Sequence, residues 1–499
     1  MPNSKREELQ DTISSHDLWR EIAIFFGILS ALLLTYSPVF LTSYAFLDDY
    51  RILAESLQKD TSVLGLTISG GRPVQGLLLW SLFSALSDIS DLCWMRAMGV
   101  IAIAGLAFML YRLLARAKWP RYQSAILALI MCVMPAYQVY SAWAVLSSSI
   151  LAGVLSVGAG WLVSYLPCRR SWAAKVVLGG LSGLALGVAF CIYQPVAMLY
   201  VVAVAIILLI PEAKLEDLWR PLAAYGSVEF LGLGIGFAVY KYGQTVSPLP
   251  GARSEFVYDV MGKADWFVGE PLVQALNLVS LSVSKLLAFG VGVFIVVGLL
   301  LYFRKSFLQR IGLVGLALAL IPLSYLPNLA TAENWASYRT QGALSSLVVL
   351  YVFFALHGYW RALRLPRDSR AMKCIMVVTA LVCALVAASN VLTLFVWPQQ
   401  MELHFVRSQL RQQDLAEVES IYFIRAHWSD SIAPLQAYDE FGLPSSCAKY
   451  VPKSMVYLLL REIAPSRMSI PVQSVAWDEV GVLPAGALEI DMRKLREYR

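Results

Sequence analysis

Residues 22–50 read IAIFFGILSALLLTYSPVFLTSYAFLDDY: twenty-six positions without a charge, then two adjacent carboxylates, Asp48 and Asp49. About 20 mostly apolar residues suffice to cross a bilayer, so the run spans and the acidic pair sits just beyond its far end. Charge beside lipid is costly and tends to be kept for function. The polar stretch before the run, Met1 to Glu21, is too long and too acidic for the head of a signal peptide. No small-residue cleavage site follows, so the run reads as a retained first helix.

The rest of the chain has the same character. Of 499 residues 58% are hydrophobic and only 15% charged, with a mean hydropathy of +0.63, where soluble domains carry about 25% charged residues. An α-helical polytopic membrane protein is expected, with spans at 22–42, 93–114, 123–140, 144–165, 175–192, 194–211, 222–241, 281–303, 311–327, 342–360 and 373–396. The net charge of +6 collects in alternate loops. Arg112, Arg116, Lys118 and Arg121 form one group, and Arg169, Arg170 and Lys175 the next. Lys214 and Arg220, then Arg304, Lys305 and Arg310, then Arg361 to Lys373 follow. Positive loops stay in the cytoplasm, which puts the N-terminus inside and, after about eleven spans, the tail outside. No basic-aromatic patch points to nucleic acid.

Val74 to Leu86 is apolar but short, and Asp88 and Asp91 close it. Counting it as a span would reverse the charge rule, so 74–87 reads as an interfacial or re-entrant helix. Asp48 and Asp49 then share one external loop, 43–92, with Gly70-Gly71-Arg72-Pro73. Three further external stretches carry polar and aromatic residues. Gly243 to Ser280 has Arg253, Glu255, Asp259, Lys263, Asp265, Trp266 and Glu270. Pro327 to Gln341 has Asn328, Glu333, Asn334, Trp335, Tyr338 and Arg339. Tyr193-Gln194-Pro195 is a turn between two spans. The first 396 residues therefore read as one transmembrane domain, and 397–499 as a small external α/β domain. Its β-like runs are at Ile421–Ile424, Met455–Leu460, Ser474–Trp477 and Ala487–Ile490. The seven cysteines show no CxxC or Cys/His ligand spacing, and the four histidines are isolated, so neither disulfides nor zinc are expected.

Carboxylates, arginines and aromatics at one membrane boundary suit an anionic or lipid-linked substrate. Neighbours on a helix point about 100° apart, so Asp48 and Asp49 cannot be equivalent. One can accept a proton from an attacking hydroxyl while the other orients a donor group or holds a divalent cation. Arg72 suits a phosphate leaving group, because guanidinium binds phosphate oxygens bidentately; Arg339, Arg253 and Lys263 stand behind it. Trp266, Trp335, Tyr338 and Tyr193 can stack on a sugar ring. Each feature also has a plain reading: a solvated cap for the acidic pair, a turn for Gly-Gly-Arg-Pro, membrane anchors for the aromatics.

In their order and external placement, Leu47-Asp48-Asp49-Tyr50, Gly71-Arg72-Pro73, Ile192-Tyr193-Gln194-Pro195 and Ser337-Tyr338-Arg339-Thr340 resemble the bacterial O-antigen-modifying, serotype-converting glucosyltransferases of the GT-C superfamily. The resemblance covers most of the chain to about residue 400. It implies a GT-C fold in the bacterial inner membrane and a polyprenyl-phosphate-linked donor, undecaprenyl-phosphate glucose first among them. It implies transfer to a periplasmic glycan such as O-antigen, and upstream partners that make and flip the lipid-linked sugar. Asp48 and Asp49 become the catalytic acidic motif. Arg72, Tyr193, Gln194, Lys263, Glu333, Tyr338 and Arg339 become the substrate-binding set. No motif indicates a cofactor beyond a divalent cation on Asp48 or Asp49. The competing expectation is a transporter or flippase for a lipid-linked saccharide, which should place ionisable residues near mid-membrane; Glu229 is almost alone there.

Overall fold

The computed structural model describes residues 15–166, 171–209, 217–246, 255–366, 369–438 and 440–498. Arg253, one of the expected phosphate ligands, and Cys168 lie outside them. Among the described residues, eight helices are long and apolar enough to cross a membrane: Asp17–Thr35, Ile89–Arg116, Ala144–Val163, Trp172–Ile192, Trp219–Val246, Lys285–Tyr302, Gly342–Ala362 and Arg370–Arg411. The protein is a helical polytopic membrane protein.

The remaining expected spans are helical but irregular. The 123–140 stretch is two helices, Arg121–Met131 and Pro135–Ala142, bent by 65°. Pro135 starts the second helix, where its missing N–H removes no bond. Gln194–Leu209 and Phe307–Leu323 are shorter apolar helices, as is Pro73–Phe83. The last, begun by Pro73 and ending at Phe83, falls where the sequence suggests an interfacial or re-entrant helix. It packs against Ser62–Ser69 to make a short helical hairpin.

After the first helix the chain turns through Ser37–Leu41 and then runs without helical bonds through Thr42–Phe46. Tyr44, Ala45 and Phe46 are fully buried, so their backbone groups need partners from elsewhere. Arg96, fully buried four residues into the Leu92–Arg116 helix, supplies the donors. Its Nε donates to the Val39 carbonyl at 2.6 Å and its terminal nitrogens to Tyr44 and Thr42 at 3.0 and 3.2 Å. The guanidinium also lies 3.8 Å above the Tyr44 ring, and the Tyr44 hydroxyl donates to the Ala142 carbonyl.

The tail does not begin with a linker. Arg370–Arg411 is one 42-residue helix, about 63 Å at 1.5 Å per residue, twice the roughly 30 Å of a bilayer core. Trp397 lies inside it, just past a π-helical turn at Leu392–Val396. Such a turn frees a carbonyl from the helical ladder, and here Leu394 accepts the Gly442 N–H at 2.8 Å. Beyond it β1 (Ser420–Ile424), β2 (Val472–Val475) and β3 (Ala487–Asp491) form a parallel sheet in the order β2-β1-β3. The expected strand at Met455–Leu460 is instead part of a helix, Val451–Ile463, with Pro452 in its first turn. Two physical reasons correct the expectation. Leu and Met favour helix over strand, and adjacent parallel strands need a long crossover, usually helical.

Replacing Arg96 with Met keeps the bulk and removes every donor, leaving two buried carbonyls and a partly buried third unpaired. A cost of roughly 3 kcal/mol or more follows, read as a drop in melting temperature of the detergent-purified protein. Lysine at the position restores only part, because one ammonium cannot reach carbonyls spread over six residues. A melting temperature equal to the parent's would show that these carbonyls have other donors.

Candidate functional site

The acidic pair opens the Asp48–Leu57 helix and its members separate at once. Asp49 is fully buried. Its Oδ2 accepts the Phe46 N–H at 3.1 Å and its Oδ1 the Val145 N–H at 3.0 Å. Val145 is in the first turn of the helical segment that follows the break at Trp143, so the carboxylate ties the first loop to the Ala144–Val163 helix. Burial pushes the Asp49 carboxyl up to about 7, against the pull of nearby Arg96 and its two backbone donors. Asp49 is a brace.

Asp48 is only half-buried and faces other partners. The Tyr450 phenol lies near enough for the Asp48 carboxylate to act on it, and burial together with this negative neighbour raises the phenol's pKa. Arg51, paired with Glu55 at 2.6 Å, lies one turn along and within electrostatic reach of both Asp48 and Tyr450. The Val451–Ile463 helix packs on Asp48–Leu57, so the tail delivers Tyr450 to the first loop. Between helix and loop sits Leu47, at φ +44° and ψ −109°, a conformation that costs a non-glycine residue on the order of 1–3 kcal/mol. The Ser445 hydroxyl holds it by accepting the Leu47 N–H at 2.9 Å.

Two buried glutamates, neither apparent as functional in the sequence, set the surrounding turns. Glu402, on the extended helix, accepts the Ser445 and Ser446 N–H groups, each at 2.8 Å. Glu440 accepts the Tyr338 and Arg339 N–H groups at 2.8 and 2.9 Å and the Ser337 hydroxyl at 2.5 Å. Each carboxylate thus caps a 3₁₀ turn, where unpaired N–H groups and the local dipole favour negative charge. The second turn aims Arg339. Its guanidinium stands 5.1 Å over Trp143 and 3.9 Å from Glu440, and near enough to Tyr450 to act on its charge. The Arg339 carbonyl accepts the Tyr140 hydroxyl at 2.5 Å.

Arg72 approaches from the other side. Gly71 has φ +70°, and a Cβ there would fall 2.8 Å from Tyr240 Cβ, so both backbone and space demand glycine. Gln194 donates to the Gly70 and Gly71 carbonyls at 3.4 Å, and Arg72 lies 5.6 Å from the Tyr193 ring centre. Tyr193 in turn is within electrostatic reach of the Tyr140 and Tyr325 hydroxyls. Tyr325 is bonded to Thr340 at 2.8 Å. The Arg72 and Arg339 elements therefore meet through a group of buried tyrosines.

Lys263 and Glu333 also come together, but as backbone support. The buried Lys263 amine donates to the Glu333 carbonyl at 2.8 Å and to Asn334 Oδ1 at 2.9 Å, and lies 4.1 Å from the Trp266 ring centre. Burial lowers the amine to about 8 against the opposing charge of Glu333. Trp266 and Tyr438 both donate to Glu270 Oε2 at 3.1 Å. Of the four aromatics expected to stack on sugar, Tyr193, Trp266 and Tyr338 are buried, while Trp335 is 40% exposed. Tyr338 packs edge-on against Tyr438 and Phe441. Among the described residues no three His, Cys, Asp or Glu side chains converge as a metal site.

The arrangement offers a partly exposed carboxylate, Asp48, beside a phenol, with the Arg51 and Arg339 guanidinium groups near the pair, at one end of the bundle. That is a set able to take a proton from a hydroxyl and to steady phosphate charge. No protein-family model matches this chain, and no curated protein matches it.

If Asp49 titrates near neutrality, protein stability carries its mark. A carboxyl raised above its unfolded value binds its proton more tightly when folded. Its contribution is complete below about pH 4 and is lost as pH rises through about 7. Unfolding free energy should fall across that window in the parent, by up to about 1.4 kcal/mol per pH unit, with a falling melting temperature as its readout, and fall less steeply in Asp49→Asn. Identical pH profiles would remove the assignment.

Proposed function

We propose that this protein is a membrane glycosyltransferase that moves a hexose, glucose first among the candidates, from a polyprenyl-phosphate-linked donor to a cell-surface glycan. The reaction belongs to the outer face of a bacterial inner membrane, with the basic loops in the cytoplasm and the tail in the periplasm. The observation that carries the reading is Asp48. It is partly exposed, lies beside Tyr450, and is gathered with Arg339 at the end of the bundle where Arg72 meets Tyr193.

In this reading Asp48 is the general base. The acceptor hydroxyl gives its proton to Asp48 as its oxygen bonds to the anomeric carbon, and the bond from that carbon to the phosphate oxygen breaks. The polyprenyl phosphate leaves as a monoester with one more negative charge than the diester it was. Arg72 and Arg339 are suited to receive that charge, since groups aimed at charge that develops during reaction lower the barrier most. Asp49 holds the loop and takes no proton from substrate. A single displacement of this kind inverts the anomeric centre.

The transporter reading has one observation on its side. Glu229 is half-buried in the Trp219–Val246 helix with one oxygen lacking a hydrogen-bond partner among the described residues. Against it stand the many polar groups gathered at one end of the bundle.

Compositional analysis of surface polysaccharide from cells with and without the protein separates the two. The enzyme reading expects a side-branch hexose that depends on the protein, and unchanged composition overturns it. In a transfer assay Asp48→Asn should lose about 10²- to 10⁴-fold in rate, the span for a general base, while keeping the parent's melting temperature. Full activity would remove Asp48 from the chemistry. Arg72→Ala should weaken apparent donor affinity by about tenfold or more, as loss of a charged hydrogen bond does, with acceptor affinity unchanged. A shift in acceptor affinity alone would place Arg72 on the other substrate.

A further inference from the structure

Toward the opposite end of the bundle an apolar groove of about 370 Å³ is lined by the Ala144–Val163 helix and by Ala185 of the Trp172–Ile192 helix. Gly158, Ala159 and Ala185 line it with small side chains, and Val154, Leu155 and Leu162 add larger apolar ones. Val145, hydrogen-bonded to Asp49, lies in the first turn of the first of these helices, and Tyr165 lies about 30 Å farther along at 1.5 Å per residue. The lining from Val154 to Tyr165 covers about 16 Å on the same rise, close to the roughly 15 Å of one bilayer leaflet.

Trp161 and Tyr165 close the far end, with the indole N–H donating to the phenol oxygen at 3.2 Å. Two cations from a third helix lie on these rings. Arg112 is 5.7 Å from the Trp161 ring centre, and Arg116, one turn on, is 4.0 Å from that of Tyr165. Arg112 is also paired with Glu21 at 3.4 Å. Arg116 is exposed, and among the described residues it has no acidic partner within ion-pair distance.

We propose that this groove holds one anionic phospholipid, with an acyl chain along Val154–Leu162 and its phosphate on Arg116 and Arg112. The match is of shape and charge together. The groove is one leaflet long, apolar for its length, and capped by two guanidinium groups that their aromatic neighbours hold at the headgroup level. A zwitterionic headgroup would bring an ammonium against the same two cations, so lipids with net negative charge are selected. The site is independent of the glycosyltransferase reading.

The test is native mass spectrometry of the detergent-purified protein titrated with phosphatidylglycerol or phosphatidylcholine of identical chains. One phosphatidylglycerol should stay bound at least tenfold more tightly than phosphatidylcholine. Arg116→Ala should cost about fivefold, the effect of one cation near an anionic headgroup, and Arg112→Ala/Arg116→Ala should abolish the preference. Ala185→Leu, which adds bulk to the groove lining from the Trp172–Ile192 helix and leaves both arginines in place, should weaken binding of both lipids. Equal retention of the two lipids by the parent, or an unchanged preference in the double variant with a parental melting temperature, overturns the site.

Discussion

A guanidinium buried at the head of a membrane helix is costly unless its nitrogens are paired, and each nitrogen of Arg96 holds a carbonyl of the chain before the acidic pair. That segment has no secondary structure of its own with which to pair. Through Arg96 it becomes as fixed as the helix beneath it, and Phe46 is locked edge-on between Trp143 and Phe395 at 4.9 and 5.3 Å. The position of Asp48 follows from this. Its neighbour Asp49 completes the frame by reaching across to the Val145 N–H.

The same solution recurs at Glu402 and Glu440. Each buried carboxylate is satisfied by backbone N–H groups of a turn from a distant part of the chain. Such groups are strongly destabilising when left unpaired, so each works as a test of assembly. Glu440 is seated only when the tail meets the Ser337–Thr340 turn, and Glu402 only when Ser445 and Ser446 fold back on the extended helix. The tail is thereby built into the candidate site, with Tyr450 on Asp48 and Tyr438 on Glu270.

Much of this architecture was legible in the sequence because the bilayer imposes a length and a polarity that few segments satisfy by accident. Hydropathy could not see the 65° bend near Cys132, since both arms are apolar. It did not distinguish the Met455–Leu460 helix from a strand, as a short apolar run has no decisive period. Within the site, the sequence marked Asp48, Asp49, Arg72 and Arg339 as chemistry-bearing. It could not divide the two aspartates, which share every local neighbour and differ only in partners 96 residues away at Val145 and in the tail at Tyr450. Tyr450 and Glu440 carried no local signal. Arg96 did carry one, as an ionisable residue inside an expected span.

The uninterrupted helix from Arg370 to Arg411 makes the tail's height and azimuth above the membrane a matter of residue count. Glu402 sits one and a half turns past the π-helical segment, and each residue turns the helix by about 100° and lifts it by 1.5 Å. The extra residue that a π turn accommodates is therefore a setting of phase: it decides which side of the mast faces Ser445. Lineages that gained or lost one residue here would have had to move the whole tail around the helix, so change in this stretch is expected in steps that restore the phase, whole turns of three or four residues.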